Sequence, residues 1–304
     1  MSYVINVIAQ GDSFPEDSLA KVEEFLAGVQ ISTKVLNACR AVDYEFFLDI
    51  SEVEAFRANF KVHSFPKGLD VSFQTNIPAF RRQKKLFVFD MDSTLIYQEV
   101  IELIAAYADV EDKVAYITTQ AMNGEIDFSE SLALRVKLLT GIPAGKLWDE
   151  LKLKIQITQG AKELCIALKR LGCVMAVCSG GFLPLANHIK ETLGLDYAFA
   201  NQLAVDDATN TLAGHTVGDI VDGNKKAELL KTIAQDHGID TDLAVAVGDG
   251  ANDLLMMAKA GYGVAWNAKS KVQDLAPCRL NSKSLLDILY ILGYTEAEIR
   301  ELTV

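Results

Sequence analysis

Positive charge is the first scarcity. Against 41 aspartates and glutamates the chain carries only 29 lysines and arginines, a net charge of −12 over 304 residues. A surface of that sign repels nucleic acid and anionic lipid, so neither is expected as a general partner, and any anionic substrate must be won locally. Long apolar runs are missing as well: none approaches the roughly 18 residues needed to cross a bilayer, which leaves no membrane partner to expect. The opening "MSYVINVIAQGD" has no basic region before its short apolar run and meets Asp12 soon after, so it does not read as a secretory signal. Cysteine is sparse. The five present (Cys39, Cys165, Cys173, Cys178, Cys278) are odd in number, scattered and never in a C-x-x-C pair, the pattern of reduced core thiols in a cytoplasmic protein. His63, His188, His215 and His237 show no metal-ligand spacing and read as structural, and Trp148 and Trp266 read as packing.

What is present falls into two patterns. Residues 1 to about 76 run "YVINVIA" (strand), "PEDSLAKVEEFLAGV" (helix), "STKVLNAC" and "YEFFLDI" (strands), "SEVEAFRANF" (helix) and "LDVSFQ" (strand). That β-α-β-β-α-β order predicts a ferredoxin-like, two-layer α+β domain. By element order alone it resembles the amino-acid-binding regulatory domains attached to many metabolic enzymes. "NIPAFRRQKK", with Pro78 and a basic run, then reads as a linker.

Beyond it, short apolar runs without strict alternation ("LFVFD", "VMAVCS", "YAFA", "LAVAVGD", "YGVAW") are separated mostly by helical stretches. This predicts a doubly wound α/β domain with a parallel sheet covered on both faces. Residues from about 100 to 157 hold helical patterns and no convincing strand, so they read as a helical cap inserted after the first strand. "NQLAVDDATNTLAGHTVG" reads as a β-hairpin turning near Asp206 to Asn210, and Thr295 with Glu298 as a capping box for a last short helix. The expected division is residues 1–78 for the ferredoxin-like domain, 79–99 with 158–304 for the α/β core, and 100–157 for the cap.

In "KKLFVFDMDSTLI" an apolar run that reads as a buried strand delivers two aspartates one residue apart, Asp90 and Asp92. Buried carboxylates cost several kcal/mol each unless a cation or hydrogen bonds meet them. Ligands of open parallel sheets bind beyond the carboxyl ends of the strands, so the residues following the other apolar runs bear on the same spot. They are Ser179, Gly180 and Gly181 after "VMAVC", and Asp249, Asn252 and Asp253 after "LAVAVG". Aspartates gathered at one sheet edge make a hard oxygen site suited to magnesium. Ser179 and the N–H groups of "SGG", at an expected helix start, make a cradle for phosphate oxygens. Lys225 or Lys226 in "VDGNKKAELL" could set an ammonium against the same phosphate.

"DMDST", "SGG", a lysine and "GDGAND", in this order, resemble the four motifs of the haloacid dehalogenase superfamily in its phosphatase branch. From about residue 80 the chain resembles the phosphoserine phosphatase family, and "KKLFVFDMDSTLIYQEVIELIAAYA" with "LLDILYILGYT" looks particularly like its fungal members. The dehalogenases themselves lack the second aspartate, which Asp92 supplies here.

The resemblance implies magnesium-dependent hydrolysis of O-phospho-L-serine, the last step of serine synthesis. Asp90 would be the nucleophile and Asp92 the general acid and base. Asp90, Asp249 and the backbone carbonyl of Asp92 would hold one magnesium ion. Ser179, Gly180 and Asn252 would bind substrate, and the "KAELL" alignment gives the lysine role to Lys226, held by Asp253. On the cap side Glu99 would receive the substrate ammonium and Arg135 its carboxylate, with Met122 and Phe128 closing over it. "SLALRV" departs from relatives, which often carry polar residues where Ala133 and Leu134 stand. L-serine as product or regulator and a homodimer are the further partners to expect. Two other readings compete: a phosphotransferase or phosphatase for another small phosphoester, and a serine sensor with a vestigial catalytic domain.

Overall fold

The computed structural model describes residues 1–122 and 125–304, the side chain of Met122 excepted. The amino-terminal elements are β1 (Ser2–Ala9), α1 (Ser18–Phe25), β2 (Ile31–Asn37), β3 (Ala41–Phe47), α2 (Val53–Val62) and β4 (Leu69–Thr75). The strands form an antiparallel sheet in the order β2-β3-β1-β4, the ferredoxin-like arrangement that the element order predicts. Tyr3, Ile5, Val7 and Ala9 point to one face of β1 and pack with Val22, Phe25, Phe56 and Phe60 of the two helices.

The other face differs from the two-layer expectation. Ile8, Leu36 and Ala41 join the hydrophobic core of the rest of the chain, so β1 and β4 are buried on both sides and the sheet is the middle of three layers. The segment expected as a linker takes part in this seam. Pro78–Arg81 forms a short helix, α3, and Arg81 is buried rather than solvated. Its guanidinium donates to Asp43 Oδ1 at 2.8 Å, to Asn76 Oδ1 at 3.1 Å and to the Ile291 carbonyl at 3.0 Å, while Asn6 Nδ2 meets the same Asp43 oxygen at 2.7 Å. Arg81, in a segment read as a linker, is here satisfied mostly by partners distant in sequence. The Asp43 and Arg81 side chains are 0% and 3% exposed, so Asp43→Ala, which strands a buried guanidinium, should destabilise the chain by about 3–5 kcal/mol. Guanidinium-chloride unfolding measures this, and a loss under about 1 kcal/mol would show that water reaches the seam.

The remainder follows as β5 (Leu86–Phe89), α4 (Val100–Tyr107), α5 (Glu111–Met122), α6 (Phe128–Lys137), α7 (Ala144–Lys152), α8 (Ala161–Arg170), β6 (Val174–Phe182), α9 (Leu183–Leu193), β7 (Tyr197–Asp206) and β8 (Thr211–Val217). Then come α10 (Gly223–Asp236), β9 (Ala244–Gly248), α11 (Leu254–Lys259), β10 (Tyr262–Trp266), α12 (Ser270–Leu275), β11 (Cys278–Leu280), α13 (Ile288–Ile291) and α14 (Glu296–Thr303). The seven strands order as β11-β10-β9-β5-β6-β7-β8, parallel except for the β7–β8 hairpin. Alternation within β5 explains its unbroken apolar run: Phe87 and Phe89 pack on the α8 and α9 side, Leu86 and Val88 on the α10 and α11 side. The Thr295–Glu298 capping box opens α14.

Helices α4 to α7 project from the carboxyl end of β5. Two antiparallel segments carry them: Tyr97 N–H donates to the Gln156 carbonyl at 3.1 Å and Thr158 N–H to the Leu95 carbonyl at 2.9 Å. The hairpin holds them again through the α6–α7 loop, where Gly141 N–H meets the Leu212 carbonyl at 2.8 Å and Leu212 N–H meets the Ile142 carbonyl at 2.8 Å. Among the described residues no helix is long and apolar enough to cross a membrane.

Candidate active site

β5 enters the site fully buried and ends on Asp90. Asp90 Oδ1 accepts the Met91 N–H at 2.8 Å and the Lys226 ammonium at 2.8 Å. The next five residues make one wide turn closed by Ile96 N–H on the Met91 carbonyl at 3.1 Å. Ser93 takes a left-handed conformation in it, with φ 53°. This reversal sets Asp92 beside Asp90 and lets Ser93 Oγ donate to Glu99 Oε1 at 2.6 Å. Thr94 Oγ1 reaches Asp249 Oδ1 at 3.3 Å. Neither Ser93 nor Thr94 was assigned a role by sequence reasoning, although both stand in "DMDST".

Lys226 and Lys225 separate cleanly. Asp222 caps α10, its side chain accepting the Lys225 N–H at 2.8 Å, and this fixes the phase of the first turn. Lys226 then points inward, 0% exposed, between Asp90 at 2.8 Å and Asp253 at 2.7 Å, whereas Lys225 pairs with Asp219 and Glu228 at the surface. Burial works against the Lys226 charge, but Asp253 and Asp90 raise its pKa above the ordinary lysine value. The ammonium is permanent.

The acids behave differently from one another. Burial, with Glu99 and Asp90 alongside, pushes Asp92 well above the usual carboxylate range. Its Oδ1 is buried with no hydrogen-bond partner among the described residues, while Oδ2 accepts only the Val100 N–H at 3.3 Å. This environment favours the protonated form of Asp92, the form from which a general acid donates. Burial and the Asp90 charge push Asp249 up to about 8. Oxygens of Asp90, Asp249 and Asp253 all lie within 4.8 Å of one another, an excess of negative charge that fits a hard cation. Asp253 is already engaged by Lys226 and by Gly250 N–H at 3.0 Å, which leaves Asp90 and Asp249 as the carboxylates to meet it.

The "SGG" run is not the start of a helix. It continues β6 as a bulge, and α9 begins only at Leu183. Ser179 is 0% exposed and its Oγ accepts the Gly181 N–H at 2.8 Å. A Cβ on Gly181 would come within 3.0 Å of Ser179 Oγ and 3.2 Å of Asp92 Oδ2, so bare backbone is required between cradle and acid. A Cβ on Gly180 would come within 3.0 Å of Phe128 Cζ, which places that cap ring directly over the cradle.

Arg135, on α6, donates Nε to the Ser131 carbonyl at 3.2 Å. Burial lowers its pKa, and the carboxyl groups of Glu99 and Asp92 oppose that, so the guanidinium lies within electrostatic reach of both acids. Burial raises Glu99 above the ordinary glutamate range, against the Ser93 hydrogen bond. Asn252 lies half-buried in the turn between Asp249 and Asp253, its carbonyl packed on Gly223 at the start of α10. Met122 closes α5, and its side chain lies outside the described part.

The family of haloacid dehalogenase-like hydrolases matches residues 84–261. A phosphoserine phosphatase of Saccharomyces cerevisiae is 48% identical over 304 residues, covering 98% of each chain. A solved phospho-aspartyl intermediate analogue of phosphoserine phosphatase superposes with a TM-score of 0.63 at 45% identity, covering 68% of this chain and 97% of that one. A substrate-bound phosphoserine phosphatase structure matches with the same TM-score of 0.63, identity of 45% and coverage of 68% and 97%. Phosphatases of this kind are generally metal-dependent, and the acid cluster here agrees with that. With catalytic motifs converging on one sheet edge and near-half identity along almost its whole length, the chain belongs to the haloacid dehalogenase-like hydrolases and, within them, to the phosphoserine phosphatases.

Proposed function

We propose that this enzyme hydrolyses O-phospho-L-serine to L-serine and phosphate through an aspartyl-phosphate on Asp90, the last step of L-serine biosynthesis. What supports the substrate is the pair Glu99 and Arg135, a half-buried acid and a guanidinium within electrostatic reach of it. A zwitterionic amino acid with phosphate on its side chain matches both charges and the cradle at once.

In the first step an Asp90 oxygen forms a bond to phosphorus, the bond from phosphorus to the serine oxygen breaks, and Asp92 delivers its proton to that oxygen. In the second, water attacks phosphorus, Asp92 takes the water proton back, and the Asp90–phosphorus bond breaks. Ser179, the cradle N–H groups and Lys226 oppose the phosphoryl charge in both. Asp90, Asp249 and the Asp92 carbonyl would hold magnesium, which supplies Lewis-acid neutralisation of the phosphoryl group. Asn252, Met122 and Phe128 complete the substrate set, and Asp253 supports Lys226.

We also divide the chain into a regulatory domain (1–78), a catalytic core (79–99 and 158–304) and a cap (100–157), and assign it to the cytoplasm, where thiols such as the five free cysteines stay reduced. Calorimetry of the full chain with L-serine tests feedback at the first domain, and sedimentation tests a homodimer.

The deciding assay is phosphate release from O-phospho-L-serine and from p-nitrophenyl phosphate, with and without magnesium. The expected result is magnesium-dependent release with strong preference for phosphoserine. Arg135→Ala should lower kcat/KM for phosphoserine by about 10²-fold or more and leave p-nitrophenyl phosphate within about threefold. Equal losses on both substrates would remove Arg135 from the carboxylate role.

A further inference from the structure

Along the β6–β7 ladder Cys178 faces Phe199, and the next pair is Phe182 with Asn201, so four steps on β6 are matched by two on β7. Ser179, Gly180 and Gly181 are lifted out of the ladder by this bulge, and their backbone groups need other partners. Asn201 supplies one. It is 1% exposed, its Nδ2 donates to the Gly180 carbonyl at 2.8 Å, and its Oδ1 accepts the Val221 N–H at 2.8 Å.

The Gly180 carbonyl and the Gly181 N–H are the two ends of one rigid peptide plane. That N–H donates to Ser179 Oγ at 2.8 Å. An oxygen accepting there keeps its own hydrogen free to donate, which is the role a phosphoryl oxygen requires of it. The second arm of Asn201 reaches Val221, the residue before the Asp222 cap that sets the phase of Lys226. One buried amide thus ties the phosphate cradle to the lysine helix.

We propose that Asn201 is a positioning residue for phosphoryl transfer, acting through Gly180 and Val221 to hold the Ser179 hydroxyl and Lys226 in register. The proposal rests on reading the cradle as the phosphoryl site. Because it concerns the phosphoryl group alone, it predicts equal effects on every phosphomonoester, unlike the cap residues that read the amino acid.

The test uses the magnesium-loaded full chain with Asn201→Asp, which keeps the shape and the Val221 acceptor but sets an oxygen against the Gly180 carbonyl, and with Asn201→Ser. Inhibition by inorganic phosphate should weaken and kcat/KM should fall by about 10²-fold, by the same factor on phosphoserine and p-nitrophenyl phosphate, well below the thermal midpoint of each variant. A folded variant with wild-type phosphate affinity and turnover overturns the proposal, as does a changed ratio between the two substrates. Should neither variant fold, amide exchange of the wild type decides: saturating phosphate should protect the Gly181 and Val221 amides together, and protection confined to residues 179–181 overturns it. Wild-type activity on p-nitrophenyl phosphate but not phosphoserine would refute the proposed substrate and leave the Asn201 comparison intact on the former.

Discussion

Asp90→Asn is expected to cut phosphate release by about 10⁴-fold or more while leaving the fold intact. The asparagine keeps the side-chain shape and can still accept the Met91 N–H, so the end of β5 stays in place. It cannot form a stable acyl phosphate, and the two-step route closes. Removing this charge has a second effect with the opposite sign for stability. Asp90 raises the pKa of Asp92, Asp249 and Asp253, so each of these is relieved when it becomes neutral. Thermal unfolding in the presence of a chelator should therefore show a smaller loss than breaking the buried 2.8 Å pair with Lys226 would cause alone, because relief of the three acids offsets part of it. Turnover within tenfold of wild type would remove the covalent mechanism.

Lys226→Met is the second large effect, and here activity and stability fall together. Methionine fills the volume but leaves Asp90 and Asp253 facing each other without the ammonium that lies 2.8 and 2.7 Å from them. Loss of a charge opposed to the phosphoryl group should lower kcat by about 10²–10³-fold. Breaking a buried charge cluster should cost about 3–5 kcal/mol of stability. The pH dependence carries the diagnostic sign. Without the lysine, the folded-state pKa of Asp253 lies further above its unfolded value, so the native state binds more protons than the unfolded chain and stability falls as pH rises. The deficit should shrink as pH is lowered toward about 4, the ordinary aspartate value. Denaturant midpoints measured across that range in a chelator test this, and a deficit independent of pH would place the cost in packing rather than charge.

Strand ends were the legible part of this sequence. Asp90, Ser179 and Asp249 each follow a short apolar run, and any parallel sheet brings such positions to one edge. The choice between Lys225 and Lys226 was not legible from spacing, because a helix start can shift by one residue. The resemblance favoured Lys226, and the Asp222 cap resolves the phase. Asn201 was hidden for another reason. It stands where "YAFA" passes into a hairpin signal, and nothing local marks a polar residue as answering a bulge in the neighbouring strand. Arg81 misled because a basic run next to a proline is ordinarily solvated, and its partner Asp43 is 38 residues away. The three residues of β11 were too few to register against the surrounding loops. The glycines after Ser179 suggested a helix start, yet the chain keeps them in the strand as a bulge.

The seam between the amino-terminal sheet and the rest of the chain has a consequence in time. Its hydrogen bonds join residues made far apart: 210 positions separate Arg81 from Ile291, and 284 separate Asn6 from Tyr290. At ribosomal speeds of roughly 5–20 residues per second, the outer face of β1 waits on the order of 10–60 s for the segment that covers it. During synthesis the first sheet can close only the half of its interior that faces α1 and α2. Its other half, with Asn6, Ile8 and Asp43, stays open to water and to chaperones until residues 287–293 emerge. Strands β5 to β11 are thus synthesised before the first sheet can be completed, and covering of its second face waits on residues 287–293.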